Sequence, residues 1–247
     1  MAYELYEGEM AKIFDIMYQK FIDYDAEFNF YNELLKKYNC NSVLEIGSGT
    51  GNLANRFSLL SSINYQGMDY SLDMIKIAEE KSSNIKFIHG DMRNFKLEKK
   101  VDAIIMTGRT SSYIISNKDL YNTLDSISSN LNKKGFYIFD FIDASRYIPH
   151  ILENKNIQHI ANAEDTIYSR IGNWTPLEED NFLLQWEADY YVTLNNKKKH
   201  LKKDISIVRV FTLDEIELFL KIKGFSIIEI IDKRTYAYDT FVIVATK

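Results

Sequence analysis

The sequence predicts an α/β fold: a seven-stranded, mostly parallel sheet with helices on both faces, plus a small inserted antiparallel β-sheet. Three observations predict it. The stretch Val43-Leu44-Glu45-Ile46-Gly47-Ser48-Gly49-Thr50-Gly51-Asn52-Leu53 reads as a buried strand, a glycine-rich turn and the start of a helix. From residue 43 short apolar runs alternate with amphipathic stretches, the βαβ rhythm of a parallel sheet. Over 156–211 the pattern changes to a two-residue period, the mark of half-buried antiparallel strands. A chain of 247 residues, 46% hydrophobic and 26% charged, can bury a full core and has room for one α/β domain with an elaboration. The expected division is a core of 1–141 and 212–247 with an inserted subdomain at 142–211.

Taken in order, residues 7–38 read as two helices. Met10, Ile13, Phe14, Met17, Tyr18 and Phe21 recur at helical spacing, as do Phe28, Tyr31, Leu34, Leu35 and Tyr38, with Asp23-Tyr24-Asp25 as the joint. Strands are expected at 43–47, 64–69, 85–89, 101–107 and 135–141, and helices at about 51–60, 71–83 and 117–131. Ser71 and Asn117 are the expected N-caps, with Asp73 and Asp119 suiting the positive helix ends. After residue 142 about three strands follow, centred on Ile167–Ile171, Phe182–Val192 and Ile205–Phe211, with a hairpin turn at Asn195-Asn196-Lys197. Thr212 caps a helix to about 223, with Glu215 completing a capping box, and Gly224 ends it. Strands at 225–231 and 239–246 close the chain. The Lys197-Lys198-Lys199-His200 run reads as a solvated hairpin tip.

The glycine turn has G-x-G-x-G spacing, not the G-x-G-x-x-G of a dinucleotide site. Glu45 beside it would repel a pyrophosphate and attract a sulfonium or ammonium. The expected ligand is therefore cationic rather than phosphorylated. Glu45, Asp69 and Asp91 each fall at the end of a predicted strand, where an open parallel sheet forms its ligand crevice. About twenty residues past the turn, Asp69 is placed to accept the two hydroxyls of a ribose. Asp91, with Met92 against the ring, suits the exocyclic amine of a purine.

Composition excludes other classes. A net charge of -5 and a pI near 5.5 argue against a dedicated nucleic-acid binder. The single cysteine, Cys40, leaves no internal disulfide and no cysteine cluster for zinc, and reads as buried packing. No apolar run approaches a membrane span, and the acidic Met1–Glu7 lacks a signal-peptide core, so a cytoplasmic location is the default expectation. His89 reads as a structural histidine inside a strand. Neither His159 nor His200 belongs to a metal-ligand pattern, and no metal site is expected. The 17 tyrosines and 15 phenylalanines are numerous enough to line an organic pocket as well as the core. Tyr168, Trp174, Trp186, Tyr190 and Tyr191 are the candidates for such a wall.

The order of Val43–Gly51, Gly67–Ser71, His89–Met92, Val101–Thr107 and Lys134–Asp140 resembles the class I S-adenosylmethionine-dependent methyltransferases. The resemblance covers about 40–141 and 212–247 and implies a Rossmann-like core with S-adenosyl-L-methionine as cofactor and S-adenosyl-L-homocysteine as product. It would put Glu45, Gly47, Ser48, Gly49 and Gly51 around the methionine end, Asp69 at the ribose, Asp91 and Met92 at the adenine, and Thr107 and Gly108 beneath the sulfonium, with Tyr70 a further cofactor contact. A narrower likeness runs through Phe14–Tyr18, Asp23-Tyr24 and the inserted sheet. It resembles the branch of sugar N,N-dimethyltransferases and glycine-type N-methyltransferases, and makes Tyr18 and Tyr24 candidate cofactor contacts. The segment Gly108-Arg109-Thr110-Ser111-Ser112-Tyr113 departs from the sugar-modifying pattern.

Methyl transfer needs alignment and desolvation above all, and a base only if the nucleophile arrives protonated. Tyr113, Asp140, Asp143 and His150 are the candidates, and Arg109 is placed to pair with a substrate carboxylate or phosphate. The expected acceptor is a small molecule, with N-methylation ahead of O-methylation. An RNA or protein methyltransferase and a non-catalytic cofactor sensor are the alternatives. No membrane or nucleic-acid partner is expected, and oligomeric state is not legible.

Overall fold

The computed structural model describes residues 4–177, 180–235 and 239–247, and only the backbone of Asp180 and Asn181. Met1 to Tyr3 of the segment read for a leader lie outside the described residues. Two helices open the chain, α1 (Gly8–Phe21) and α2 (Tyr24–Lys37). Then come β1 (Ser42–Ile46), α3 (Asn52–Phe57), β2 (Asn64–Asp69), α4 (Leu72–Lys81), β3 (Lys86–His89) and β4 (Val101–Met106). A short 3-10 turn (Thr110–Tyr113) leads to α5 (Asn117–Asn130), β5 (Leu131–Asp140) and α6 (Ala144–Glu153). The antiparallel strands β6 (Ile157–Ala163), β7 (Thr166–Leu177), β8 (Asp180–Leu194) and β9 (Lys197–Arg209) follow, then α7 (Leu213–Ile222), β10 (Ser226–Lys233) and β11 (Thr240–Thr246).

The main sheet has the order β10-β11-β5-β4-β1-β2-β3, parallel except for β11, which runs antiparallel to both its neighbours. From β1 the chain moves outward through β2 and β3, then returns to β1's other side for β4. The crevice at the carboxyl ends of β1 and β4 is therefore the switch point where such sheets bind ligands. Alternation along the strands sends Leu44, Ile104 and Met106 toward α5 and α7, and Val43, Ala103 and Ile105 toward α2 and α3. A second, four-stranded sheet has the order β6-β7-β8-β9. Its inner face, including Ala161, Trp186, Ala188 and Tyr190, packs on Met10, Ile13 and Met17 of α1. Met10, Ile13 and Met17 each contribute roughly 1.5–3 kcal/mol by leaving water. Helix α1 is thus held between the second sheet and the core, over the crevice.

Several local expectations are corrected. Ser116, not Asn117, caps α5, accepting from the Asp119 backbone at 3.1 Å. Strand β5 begins at Leu131 rather than 135, and α3 stops at Phe57. Helix α6 lies where only a break in rhythm was expected. Pro149 sits inside it, a residue that argues against a helix in sequence, but Ala144, Tyr147 and Ile151 bury one face against Leu184, Val208 and Val210. The second sheet has four strands rather than three. Thr212 caps α7 through the Glu215 backbone, yet the Glu215 carboxylate turns to Arg209 instead of closing a capping box. Other expectations stand: Asn195 and Asn196 take positive φ in a two-residue hairpin turn, the lysines after it are exposed, and Cys40 is buried. No helix among the described residues is long and apolar enough to cross a membrane.

Candidate active site

Between the strand ends of the main sheet and the inner face of the second sheet lies a cavity of about 1260 Å³. Pockets for one drug-sized ligand run roughly 300–1,000 Å³, so this one has room for a cofactor and an acceptor together.

Its floor is the glycine turn. Gly47, Gly49 and Gly51 all have positive φ, which glycine adopts without strain. A side chain at Gly47 would fall 2.3 Å from Thr110 Oγ1, whereas at Gly49 it would meet nothing within 4 Å. The backbone at Gly49 is thus bare toward the cavity. The Gly49 N–H donates to Asp69 Oδ2 (2.8 Å) and that of Ser71 to Asp69 Oδ1 (2.8 Å), so Asp69 ties β2 to the turn with lone pairs left on each oxygen. Burial raises the Asp69 pKa, opposed by these backbone hydrogen bonds. Glu45 is buried too and accepts from Tyr65 Oη (3.0 Å). Burial pushes its pKa up to about 8, with nearby Asp69 adding to the rise.

Asp91 and Met92 line the cavity beyond β3. The Asp91 carboxylate accepts from Arg93 N (2.9 Å), Nε (2.9 Å) and Nη2 (2.6 Å), and these bonds hold its pKa below the usual value. His89 is corrected: it stands at the end of β3, exposed in the cavity, with Nε2 3.0 Å from the Tyr70 carbonyl. Tyr70 itself is 57% exposed. Thr107, Gly108 and Arg109 follow β4 into the cavity. The N–H groups of Gly108 and Arg109 donate to the buried carboxylate of Asp140 (3.1 and 2.8 Å), whose pKa is raised by burial. Asp140 thus shapes the 107–109 turn as well as lining the cavity.

The roof is aromatic and basic. From α1, Tyr18 stacks on Phe14 at 3.8 Å, and Tyr24 at the start of α2 also lines the cavity. Tyr6 and Tyr113 share a hydroxyl–hydroxyl hydrogen bond across it; burial raises the Tyr6 pKa well above the ordinary value, with Tyr113 adding to the rise. From the second sheet come Trp174 and Trp186, 4.7 Å apart, while Tyr168 and Tyr190 pack toward α1 and Tyr191 meets His200. Arg170 is 7% exposed, within reach of the rings of Tyr18, Phe21 and Trp186, and donates to Tyr18 Oη at 3.0 Å. Its Nε donates to Nδ1 of His159 (3.4 Å). Burial, then Arg170 and Arg109, lower the His159 pKa to about 4. His159 is therefore neutral near pH 7, and because Nδ1 accepts, its hydrogen sits on Nε2. It is a donor, not a base.

Arg109, Tyr113 and His150 all line the cavity. Asp143 does not: its carboxylate caps α6 at Ser145. Sequence reasoning missed Tyr6, Asp15, Arg170 and Asp204, the last a buried carboxylate that lines the cavity from β9 and accepts from Ser206 Oγ. Only Asp15 carried a signal, as a carboxylate within the otherwise apolar stripe of α1.

Comparison with known proteins accords with this geometry. Residues 43–135 match a family described as a methyltransferase domain. A Streptomyces fradiae dTDP-3-amino-3,6-dideoxy-α-D-glucopyranose N,N-dimethyltransferase is 25% identical over 142 residues, 55% of this chain and only 54% of that protein. The chain thus spans about half of that relative's length. Among solved structures, DesVI of Streptomyces venezuelae superposes with a TM-score of 0.80 at 18% identity, covering 96% of this chain and 98% of that one. CalS10, an amino pentose methyltransferase of Micromonospora echinaspora solved with S-adenosylmethionine bound, gives 0.79 at 15% identity over 95% and 96%. At such identities the two structures share the fold. Residues 43–135 are thus matched as a methyltransferase domain, and the sheet order and superpositions give the whole chain the fold of S-adenosylmethionine-dependent methyltransferases. Its likenesses include the amino-sugar N,N-dimethyltransferase and the amino pentose methyltransferase just described.

Proposed function

We propose that the protein methylates an amine nitrogen of a small acceptor that also carries an anionic group, using S-adenosyl-L-methionine. The observation that carries this reading is the mixed polarity of the cavity: carboxylates line the strand ends, Arg109 rises beside them from the β4 turn, and Arg170, the donor His159 and the buried carboxylate of Asp204 face them from the second sheet. The cofactor residues fit the group, since Gly49 leaves bare backbone toward the cavity and the acids beside it suit a cationic ligand. Glu45, Gly47, Ser48 and Gly49 would hold the methionine end, Asp69 and Tyr70 the ribose, Asp91 and Met92 the adenine, with Thr107, Gly108, Tyr18 and Tyr24 enclosing the centre. Gly51, expected among them, is corrected: it does not line the cavity but faces Ala78 and Phe87, and serves the turn alone. When bound, the cofactor supplies an electrophilic methyl on a sulfonium.

The chain's own residues then bind and orient the acceptor. Arg109, Arg170 and the Nε2–H of His159 present donors only, the chemistry that suits a carboxylate or phosphate. Trp174 and Trp186 exclude water from its body. The Tyr113 hydroxyl, fixed by Tyr6, orients the nitrogen lone pair, and His150 near the cavity edge takes the amine proton. The likeness to an amino-sugar N,N-dimethyltransferase and to an amino pentose methyltransferase supports an amine acceptor; on this reading the inserted residues 142–211, which bring Arg170, Trp174 and Trp186 to the cavity, form its docking side. This chain's acidic balance weighs against an RNA acceptor.

Label transfer tests the reading. With labelled S-adenosylmethionine, label should pass to amino acids or amino-sugar phosphates and not to phenols, RNA or peptides. Transfer confined to RNA or protein would overturn it, and cofactor binding without any transfer would favour a sensor.

A further inference from the structure

Asp15 is an acid on an apolar helix stripe, and no step above uses it. It is 8% exposed, and its oxygens are crowded with donors. Oδ1 accepts from Thr50 Oγ1 (2.5 Å), Asn52 Nδ2 (2.9 Å) and Lys81 Nζ (2.5 Å), and Oδ2 accepts from Gln19 Nε2 (2.8 Å). Lys81 also donates to Asn52 Oδ1 at 2.8 Å, so the network closes on itself. Thr50 and Asn52 flank Gly51, whose φ of 73° begins α3 and which has no side chain to cap it. One buried carboxylate on α1 therefore holds both sides of the glycine turn. The same helix carries Phe14 next to Asp15 and Tyr18 one turn on, both lining the cavity.

We infer that Asp15 is a positioning residue for the cofactor, holding the aromatic roof of α1 in register with the glycine turn. A buried carboxylate with charge-assisted hydrogen bonds on several donors has little freedom to move. Turn and roof therefore move together or not at all, and a cofactor lying between them meets both surfaces already spaced. The inference rests on the cofactor reading of this cavity. Lys81 has a different part: it neutralises the carboxylate, while burial lowers its own pKa. Its hydrogen bonds go to the side chains of Asp15 and Asn52, and it does not line the cavity.

That division makes the inference testable with S-adenosylhomocysteine as the calorimetric probe. Wild-type protein that binds no probe would overturn the cofactor reading itself. Given wild-type binding, Asp15→Ala should weaken it at least tenfold. Thr50→Val, which removes one strut from the opposite side, should weaken it three- to tenfold. Lys81→Met should lower the melting temperature as much as Thr50→Val yet leave affinity within twofold. In turnover assays the loss should fall on KM for the cofactor and leave KM for the acceptor unchanged. Affinity that merely tracks melting temperature across the three variants would overturn the positioning role. So would unchanged affinity in Thr50→Val, which decides the matter if Asp15→Ala does not fold.

Discussion

The two walls of the cavity are built on opposite principles. The core wall is made of strand ends and backbone: Asp69 and Asp140 each accept two main-chain N–H groups, and Glu45 is buried against Tyr65. The inserted wall is made of side chains on pleated strands, where Arg170 and His159 reach the cavity from neighbouring positions across β6 and β7. Backbone geometry fixed by hydrogen bonds suits a ligand that never changes. Side chains on an antiparallel sheet can be exchanged without disturbing the ladder, and suit a ligand that differs between relatives. If this contrast is right, damage to one wall should spare the other ligand.

The largest effect is expected at Asp69. Its replacement by Ala removes a carboxylate that also holds the glycine turn and the start of α4. Losing two hydrogen bonds to a charged group at roughly 1.5–3 kcal/mol each predicts at least a hundredfold loss of S-adenosylhomocysteine affinity by calorimetry. KM for the acceptor should change less than threefold; a matching rise there would break the contrast. Arg109 stands on the core side, at the turn after β4, but belongs to the groups that face the acceptor; Arg109→Gln keeps the αL backbone and removes the cation. It should raise KM for an anionic acceptor about tenfold, on the order of 1.4 kcal/mol, with cofactor affinity unchanged. Equal effects on anionic and neutral amines would sink the anion assignment.

The same contrast explains what was legible in sequence. Strands β1 and β4 bury near-continuous apolar runs, and the shorter β2 and β3 run into glycine and acid, so their ends, and with them Glu45, Asp69 and Asp91, could be placed from residue order alone. Arg170 and His159 could not, because a two-residue period says that faces alternate without saying which face meets the core. That choice is made by the docking of α1 on Trp186 and Ala188. Helix α6 was hidden by Pro149, and the engagement of Asp91 by Arg93, two residues on, is a side-chain choice that periodicity does not encode. Asp15 was visible as an anomaly, but Thr50, Asn52 and Lys81, the partners that tie it to the turn, lie 35 to 66 residues away in the chain.

The subtlest effect concerns Glu45. Burial holds its pKa near 8 in the free protein, against an ordinary 4.5, so the folded state keeps a proton there that the unfolded chain releases. The sign follows: with a raised folded pKa, the group favours folding below pH 4.5, and that contribution is lost as pH rises toward 8. A cationic ligand beside the carboxylate favours its ionised form, so binding below pH 8 should expel the proton. Cofactor affinity should then rise with pH between 6 and 8, by at most tenfold per unit for one linked proton. Calorimetry in buffers of different ionisation heat should register the released proton. Glu45→Gln should flatten the slope relative to wild type, a comparison that cancels the ligand's own titration. Identical slopes would mean that Glu45 stays protonated beneath its ligand, and that the acidic wall attracts through Asp69 and Asp91 alone.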